Sequence, residues 1–522
     1  MTETAETGAN GAESLIRTLV AAGVDTCFAN PGTSEMHFVV ALDRVPEMRP
    51  VLGLFEGAVT GMADGYGRMA GKPAVTLLHL GSGLGNGIAN LHNAKRANTP
   101  MVNIVGDHAS YHLQWDTPLV SDIVGLARPV SAWVHRTESS RTVGADAARA
   151  VFAAQQAPGG IATLILPADT AWGPGAGAAP ALPKPQPAAV SDAAVDEAVR
   201  LLRSGSRTVI LTRGATLLER GLTALGRIAA ASGAWLMCHQ LSPRMQRGAG
   251  RTVVERVPYR AEDIVGIFKE VANLILVGTH PPVAPFAYPD YPSWCLPEGI
   301  AIHYLAQDHE DGVSALEAVA EALGAPRAPA LLAASELPGR PAGELDQFSI
   351  GAIIARHMPE GTIVSDEAAT NGLGPMQATR GAPPHEWLSN TGGAIGQGIP
   401  VATGAAVASP GRKVINLQAD GSAMYTLQAL WTQAREKLDC VTIIFSNRSY
   451  AILTVELGRV GARNPGPRAL SMFDLGNPDI DWVGMARSLG VEASQAATVA
   501  EFEAQFIDAM ARPGPRLIEA VI

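Results

Sequence analysis

A chain of 522 residues with 47% hydrophobic and only 17% charged side chains is too long for one domain and too apolar to stay disordered. Its net charge of −10 is spread without a basic run, which argues against nucleic acid as a partner, since phosphate binding needs clustered Lys and Arg. The four cysteines (Cys27, Cys238, Cys295, Cys440) form no CxxC pair, which argues against a disulfide framework and a zinc site and fits a reducing cytoplasm.

In chain order, the opening MTETAETGANGAES has neither the basic start nor the apolar core of a signal peptide. No apolar run reaches the roughly 18 residues of a membrane span. ESLIRTLVAAG (13–23) places Leu15, Ile16, Leu19 and Val20 on one helical face and stops at Gly23. VDTCFANPG predicts a strand entering a Pro-Gly turn, and VLGLFEGAVTGMADGYGRMAG a strand end and a helix. AVTLLHLG, GSGLGNGIANLHNAKRAN and PMVNIVGD read as strand, Gly-rich turn plus helix, and strand, a βαβ unit that implies a parallel sheet. The Pro/Ala/Gly-rich stretches 173–191 and 324–344 read as linkers. Between them RTVILTRGA, NLILVGTH and IAIHYLAQ predict strands. After them TIVSDEA, GGAIGQGIPVATGAAVAS, KVINLQADG and PRLIEAVI alternate again. The expected class is α/β: three α/β domains with central parallel sheets, at residues 1–172, 192–325 and 345–522.

The strand KVINLQ runs into Ala419-Asp420-Gly421-Ser422, where a helix should begin. Ligands bind beyond the carboxyl ends of such strands, and a helix start offers free N–H groups to a phosphate. Asp420 supplies a carboxylate suited to Mg²⁺, and Asn447, just past the strand VTIIF, an amide oxygen. Taken alone, the two are equally an N-cap Asp and a turn Asn.

The segment resembles the diphosphate-binding motif of thiamine diphosphate (ThDP)-dependent enzymes, GDG followed further on by NN, with Ala419 in place of the first Gly and Ser446 in place of the first Asn. The resemblance implies metal ligands Asp420, Asn447 and the main-chain carbonyl of Ser449, and cofactor contacts at Gly421, Ser422, Ala423 and Tyr450. LGLFEGAVTGMADGYGR supplies Glu56 where this family places the Glu that activates the pyrimidine ring. In SNTGGAIGQGIPVATGAA, Ile395 matches the apolar prop beneath the cofactor, and the Gly393 carbonyl would meet its amino group. In SDEAATNG, Ala369 and Thr370 match the other diphosphate-side loop. The implied partners are a 2-oxo acid and further copies of the chain: a homodimer as minimum unit, usually a homotetramer.

Two branches of the family compete. FANPGTSEMHFV and VGDHASYH are similar to acetolactate synthase large subunits, transferases that join two 2-oxo acids. The site residues resemble benzoylformate decarboxylase instead, with Thr33 in NPGTSE and His79 in LHLGSGLGN. His79 is either a proton relay or a strand-end histidine satisfied by the fold, and Thr33 either binds the substrate carboxylate or ends its turn. For a second histidine the candidates are His108, His112 and His280. Pro118, Leu119, Ile452 and Leu453 imply an apolar pocket, in which Glu456 either takes part or faces solvent. FAD, which TRGAT (212–216) would tolerate, is not favoured, and the spacing of Gly81, Gly83, Gly85 and Gly87 is not GxGxxG. A third alternative, a non-catalytic paralogue, has no need of Glu56, Asp420 and Asn447 together.

Overall fold

The computed structural model describes residues 8–522; the first seven residues of the polar start, and of the first expected domain, lie outside it. The α/β expectation is met by three sheets with helices around them. The first contains β1 (Thr26–Asn30), β2 (Arg49–Leu52), β3 (Ala74–Leu78), β4 (Met101–Asp107), β5 (Trp133–Arg136) and β6 (Ile161–Pro167), in the order β2-β1-β3-β4-β6-β5 and parallel throughout. The middle of the chain supplies β7 (Thr208–Thr212), β8 (Trp235–Cys238), β9 (Met245–Arg247), β10 (Glu255–Arg256), β11 (Asn273–Val277) and β12 (Ala301–Ala306). Five of these form a parallel sheet in the order β10-β8-β7-β11-β12. The last third supplies β13 (Ile363–Glu367), β14 (His385–Ser389), β15 (Val414–Ala419), β16 (Cys440–Ser446), β17 (Glu492–Ala496) and β18 (Arg516–Val521), in the order β17-β18-β16-β15-β13-β14-β9. The segment 192–325 thus lends β9, antiparallel, to the edge of the third sheet. Arg244 fixes it there, holding both carboxylate oxygens of Glu386 at 2.7 and 2.9 Å.

β3, β4 and β6 are buried along their whole length, which explains why their sequences are continuous apolar runs and not alternating ones. The first helix is Gly11–Ala21, begun early because Asn10 caps it by accepting the Glu13 N–H at 2.8 Å. A larger difference lies at 81–87. The expected Gly-rich turn is helical, and one helix runs Leu80–Ala97. Three of its glycines, Gly81, Gly83 and Gly87, give clearance. A Cβ on Gly83 would stand 3.0 Å from Glu56 Oε1, and one on Gly87 2.9 Å from Thr60 Cγ2. The preference of Gly for turns is overridden by packing.

The first and third sheets meet through two helices, Glu56–Ala70 and Gly398–Ala408. Glycine lines their contact. A Cβ on Gly61 would sit 2.6 Å from Pro400 Cβ; on Gly65 or Gly404 it would be driven into the carbonyls of Val401 or Met62. Val59, Met62, Ala63, Val401, Ala402 and Ala405 form one buried cluster across the seam. Arg68, buried, pairs with Asp64 and donates to Ser389 O at 2.7 Å and Thr391 Oγ1 at 3.0 Å.

Gly404→Ala should therefore cost about 3 kcal/mol, the upper part of the usual overpacking range, because the atom met is backbone; an unchanged urea midpoint would refute the close-approach reading. A second expectation concerns acid. His385 on β14 is buried with Nε2 unpartnered, and burial, reinforced by Arg247, pushes its pKa down to about 3. The unfolded chain binds this proton near pH 6.5 while the native state refuses it, so stability falls as pH drops below 6.5, by up to about 1.4 kcal/mol per unit. Unfolding of His385→Gln between pH 7 and 5 should show a shallower loss than the parent, and equal slopes would rule this out.

Candidate active site

Strand order reverses between β1 and β3 in the first sheet and between β13 and β15 in the third, and in open α/β sheets such points are where ligands bind. At the first, β1 continues through Pro31-Gly32 into the short 3-10 turn Thr33–Glu35. His79 follows β3 and begins the helix Leu80–Ala97, with Leu80 forced to φ +55. His79 Nδ1 lies 2.8 Å from Glu35 Oε2, which also accepts the Gly32 N–H at 2.7 Å. Burial pushes the Glu35 carboxyl above the usual range, opposed by Gly32 and His79. The Gly83 N–H donates to the His79 carbonyl at 2.8 Å, and Gly83 in turn abuts Glu56. Glu56 begins its own helix, is buried, and accepts from Asn86 Nδ2 at 2.9 Å. Glu56 and His79 thus flank the same helical turn. Thr33 is exposed beside them.

At the second, Asp420 Oδ1 accepts the Gly421 N–H at 2.8 Å and Oδ2 the Arg448 N–H at 2.7 Å, which ties β15 to the loop after β16. Burial raises the Asp420 carboxyl, and those N–H groups oppose it. An open polar cavity of about 210 Å³, lined also by Ser446, Arg448, Asp479 and Glu519, leaves Asp420 reachable from solvent. Asn447 Oδ1 accepts the Ser449 N–H at 3.0 Å, keeping a second lone pair. Ala419 takes φ −73, so its replacement of Gly leaves the turn unstrained. Tyr450 packs against Gly421 so closely that any side chain there would enter its ring. Ser422 accepts from Gln418 Nε2 at 2.7 Å, and Ala423 is fully buried behind it. After β13, Ala369 is exposed at φ +51 and Thr370 half-buried. The turn carrying Gly393 (φ +78) and the half-buried Ile395 is held from below by Glu367. Its carboxylate accepts from Gly396 N, Gln397 N and Gly398 N at 3.0, 3.0 and 2.8 Å, and from Asn390 Nδ2 and Gln418 Nε2.

The donors at Asp420, Asn447 and the Ser449 carbonyl are all oxygen with a single carboxylate, a set that fits Mg²⁺. Among the described residues no cluster of three or more His, Cys, Asp and Glu offers a competing metal site.

Other sequence candidates scatter. His108 and His112 lie after β4, the strand beside β3, with ring centroids 5.7 Å apart. Pro118 and Leu119 are exposed in the following loop. His280 is exposed beyond β11, where its carbonyl meets His239 Nε2 at 3.0 Å. Ile452 is half-buried and Leu453 exposed on the helix Ala451–Arg459. Glu456 on that helix does not face solvent; it accepts from Tyr288 of the middle segment at 3.0 Å, with Arg459 over the Tyr288 ring. Sequence reasoning assigned no role to Glu35, Asn86 or Glu367. Only Glu35 carried a signal, its place three residues after Gly32 in NPGTSE, the spacing of a capping box.

Glu367→Ala would strand several buried donors, each at about 1–3 kcal/mol. ThDP affinity, followed by tryptophan fluorescence, should drop tenfold or more; unaltered affinity would show that the turn holds itself.

The comparisons with known proteins show the family. Residues 9–126 match the family model described as thiamine pyrophosphate enzyme, N-terminal TPP binding domain, and 372–520 the corresponding C-terminal TPP binding domain. The chain is 50% identical over 514 residues, 98% of its length and 99% of the other's, to a Mycobacterium tuberculosis protein provisionally named acetolactate synthase large subunit IlvX. It is 30% identical to a benzoylformate decarboxylase of Pseudomonas aeruginosa, covering 95% of this chain and 96% of that one. A Rhodococcus jostii thiamine diphosphate-dependent 4-hydroxybenzoylformate decarboxylase superposes with a TM-score of 0.86 at 25% identity, over 98% and 99% of the two chains. With Glu56 at one sheet's reversal point and Asp420 at the other's, the chain belongs to the thiamine pyrophosphate enzyme family, among relatives of the acetolactate synthase and benzoylformate decarboxylase type.

Proposed function

We propose that this protein is a ThDP- and Mg²⁺-dependent 2-oxo acid decarboxylase and carboligase with a benzoylformate decarboxylase-like site. The observation that carries the reading is His79, held by Glu35 on the helical turn that also receives Glu56. When bound, ThDP supplies the electron sink that allows a 2-oxo acid to lose carbon dioxide. Glu56 would hold a proton at the pyrimidine ring, and Asn86 orients it. His79 Nε2 would exchange a proton with the substrate, and Thr33 would bind its carboxylate. Asp420, Asn447 and the Ser449 carbonyl would hold Mg²⁺, with Gly421 and Ser422 at the diphosphate; Gly393 and Ile395 would seat the rings. His108, His112, Pro118, Leu119, Ile452 and Leu453 remain the pocket candidates.

A homodimer is the proposed minimum unit, as the family resemblance implies; a tetramer would pair two such dimers. Four free, buried cysteines fit the reducing cytoplasm. No helix among the described residues is long and apolar enough to cross a membrane.

The name of the 50% identical relative favours a second reading, an acetolactate synthase-type transferase with FAD. Stoichiometric flavin absorbance in the purified protein would decide for it.

Glu56→Gln should lower turnover at least a hundredfold while ThDP binding and the unfolding midpoint stay put. The assay is a panel of pyruvate, 2-oxobutanoate and benzoylformate, followed for carbon dioxide and for ligated product. EDTA should abolish activity and Mg²⁺ restore it. Normal turnover by Glu56→Gln would sink the assignment.

A further inference from the structure

Glu35 is fully buried, yet only one of its two oxygens is used. Oε2 meets both the Gly32 N–H at 2.7 Å and His79 Nδ1 at 2.8 Å, while among the described residues Oε1 has no partner and is pressed on Gly106, where any Cβ would collide with it. Gly32 is equally constrained, since a Cβ there would enter the His79 ring. The carboxylate is thus locked between two glycines, with Oε2 aimed at the imidazole. The His79 side chain is 23% exposed and its Nε2 has no partner among the described residues. Capping the Thr33–Glu35 turn requires only the Gly32 contact. It does not require a buried acid whose second oxygen is left bare at a cost of about 1–3 kcal/mol.

We propose that Glu35 is the positioning residue of His79: it accepts the Nδ1–H and so fixes the tautomer in which Nε2 is the open, proton-exchanging nitrogen. The tautomer of a histidine is set by the hydrogen bond its other nitrogen makes. With Glu35 as the carboxylate, Nδ1 carries the hydrogen of this contact, which leaves the Nε2 lone pair free. Nε2 then takes its proton from solvent or substrate and returns it there, while Nδ1–H stays in place throughout. The inference rests on His79 being the proton relay of the proposed function. It adds that the relay depends on a residue that touches neither substrate nor cofactor. The same acid ties the Thr33 turn to His79, so both substrate-facing groups move as one unit.

The test uses full-length protein labelled with ¹⁵N-histidine and read by solid-state NMR, with His79→Asn assigning the resonances. The parent should show His79 as the Nδ1–H tautomer. Glu35→Leu, which cannot accept, should move it to Nε2–H. Glu35→Gln, which keeps an acceptor for Gly32, should fold with an unchanged midpoint and bind ThDP normally. In Glu35→Leu kcat on the substrate found in the 2-oxo acid panel should fall tenfold or more, with KM within twofold, whereas Glu35→Gln, whose amide oxygen still accepts the Nδ1–H, should retain most of it. An unchanged His79 tautomer in Glu35→Leu would overturn the positioning role. A shifted tautomer with undiminished kcat in Glu35→Leu would leave the pairing standing and overturn His79 as relay, which separates the two failures.

Discussion

The close approach of the helices Glu56–Ala70 and Gly398–Ala408 constrains the rest of the molecule. Gly61, Gly65 and Gly404 leave no side chain between the two backbones at those points, so the first and third sheets are fixed to each other with little play. Each helix also begins with a piece of the site: Glu56 opens one, and the Gly393–Ile395 turn leads into the other. The same contact therefore also sets where Glu56 and the Gly393–Ile395 turn, both candidate site groups, sit. The buried Arg68, bonded to Asp64 on its own helix and to Ser389 and Thr391 across the seam, adds direction to a contact that is otherwise apolar.

Much of this was legible in the sequence because it is written in local patterns. Strands buried on both faces must be apolar runs, and VTLL, VNIVG, VINLQ and VTIIF are such runs. Residues at strand carboxyl ends, Asp420, Asn447 and His79, could be located from the strands alone. The 81–87 segment shows where local reading stops. Four glycines in seven residues look like a turn, yet the chain is helical there, and three of them, Gly81, Gly83 and Gly87, answer to Ser121, Glu56 and Thr60 elsewhere in the chain. No local rule contains that information. Glu456 is similar: its partner Tyr288 stands 168 residues away, beyond the reach of any periodicity.

Asn86, Asn90 and Asn93 were illegible for a related reason. They are spaced to fall on one helical face, a pattern equally compatible with a solvent-facing polar stripe. In the fold Asn86 holds Glu56, Asn90 donates to the Gly57 carbonyl and to Gly396 O, and Asn93 both donates to and accepts from Ala394. The stripe is an interface to the third sheet. It joins the Glu56 end of the site to the Gly393–Gly396 turn through side-chain amides, which donate and accept without titrating.

The two reversal points share one device. Glu35 and Glu367 are both buried acids that accept backbone N–H groups from a glycine-bearing turn, Gly32 in one case and Gly396 and Gly398 in the other. Burying a carboxylate is costly unless donors surround it, and charge-assisted hydrogen bonds recover much of that cost. Glu367 has five donors and serves only to rigidify its turn. Glu35 has the Gly32 N–H and the His79 imidazole on one oxygen, and among the described residues its other oxygen has no partner. A purely structural acid at that position would be expected to acquire a further donor, as Glu367 has. The difference in how completely the two acids are satisfied is the physical ground for assigning one to its turn alone and the other to the positioning of His79.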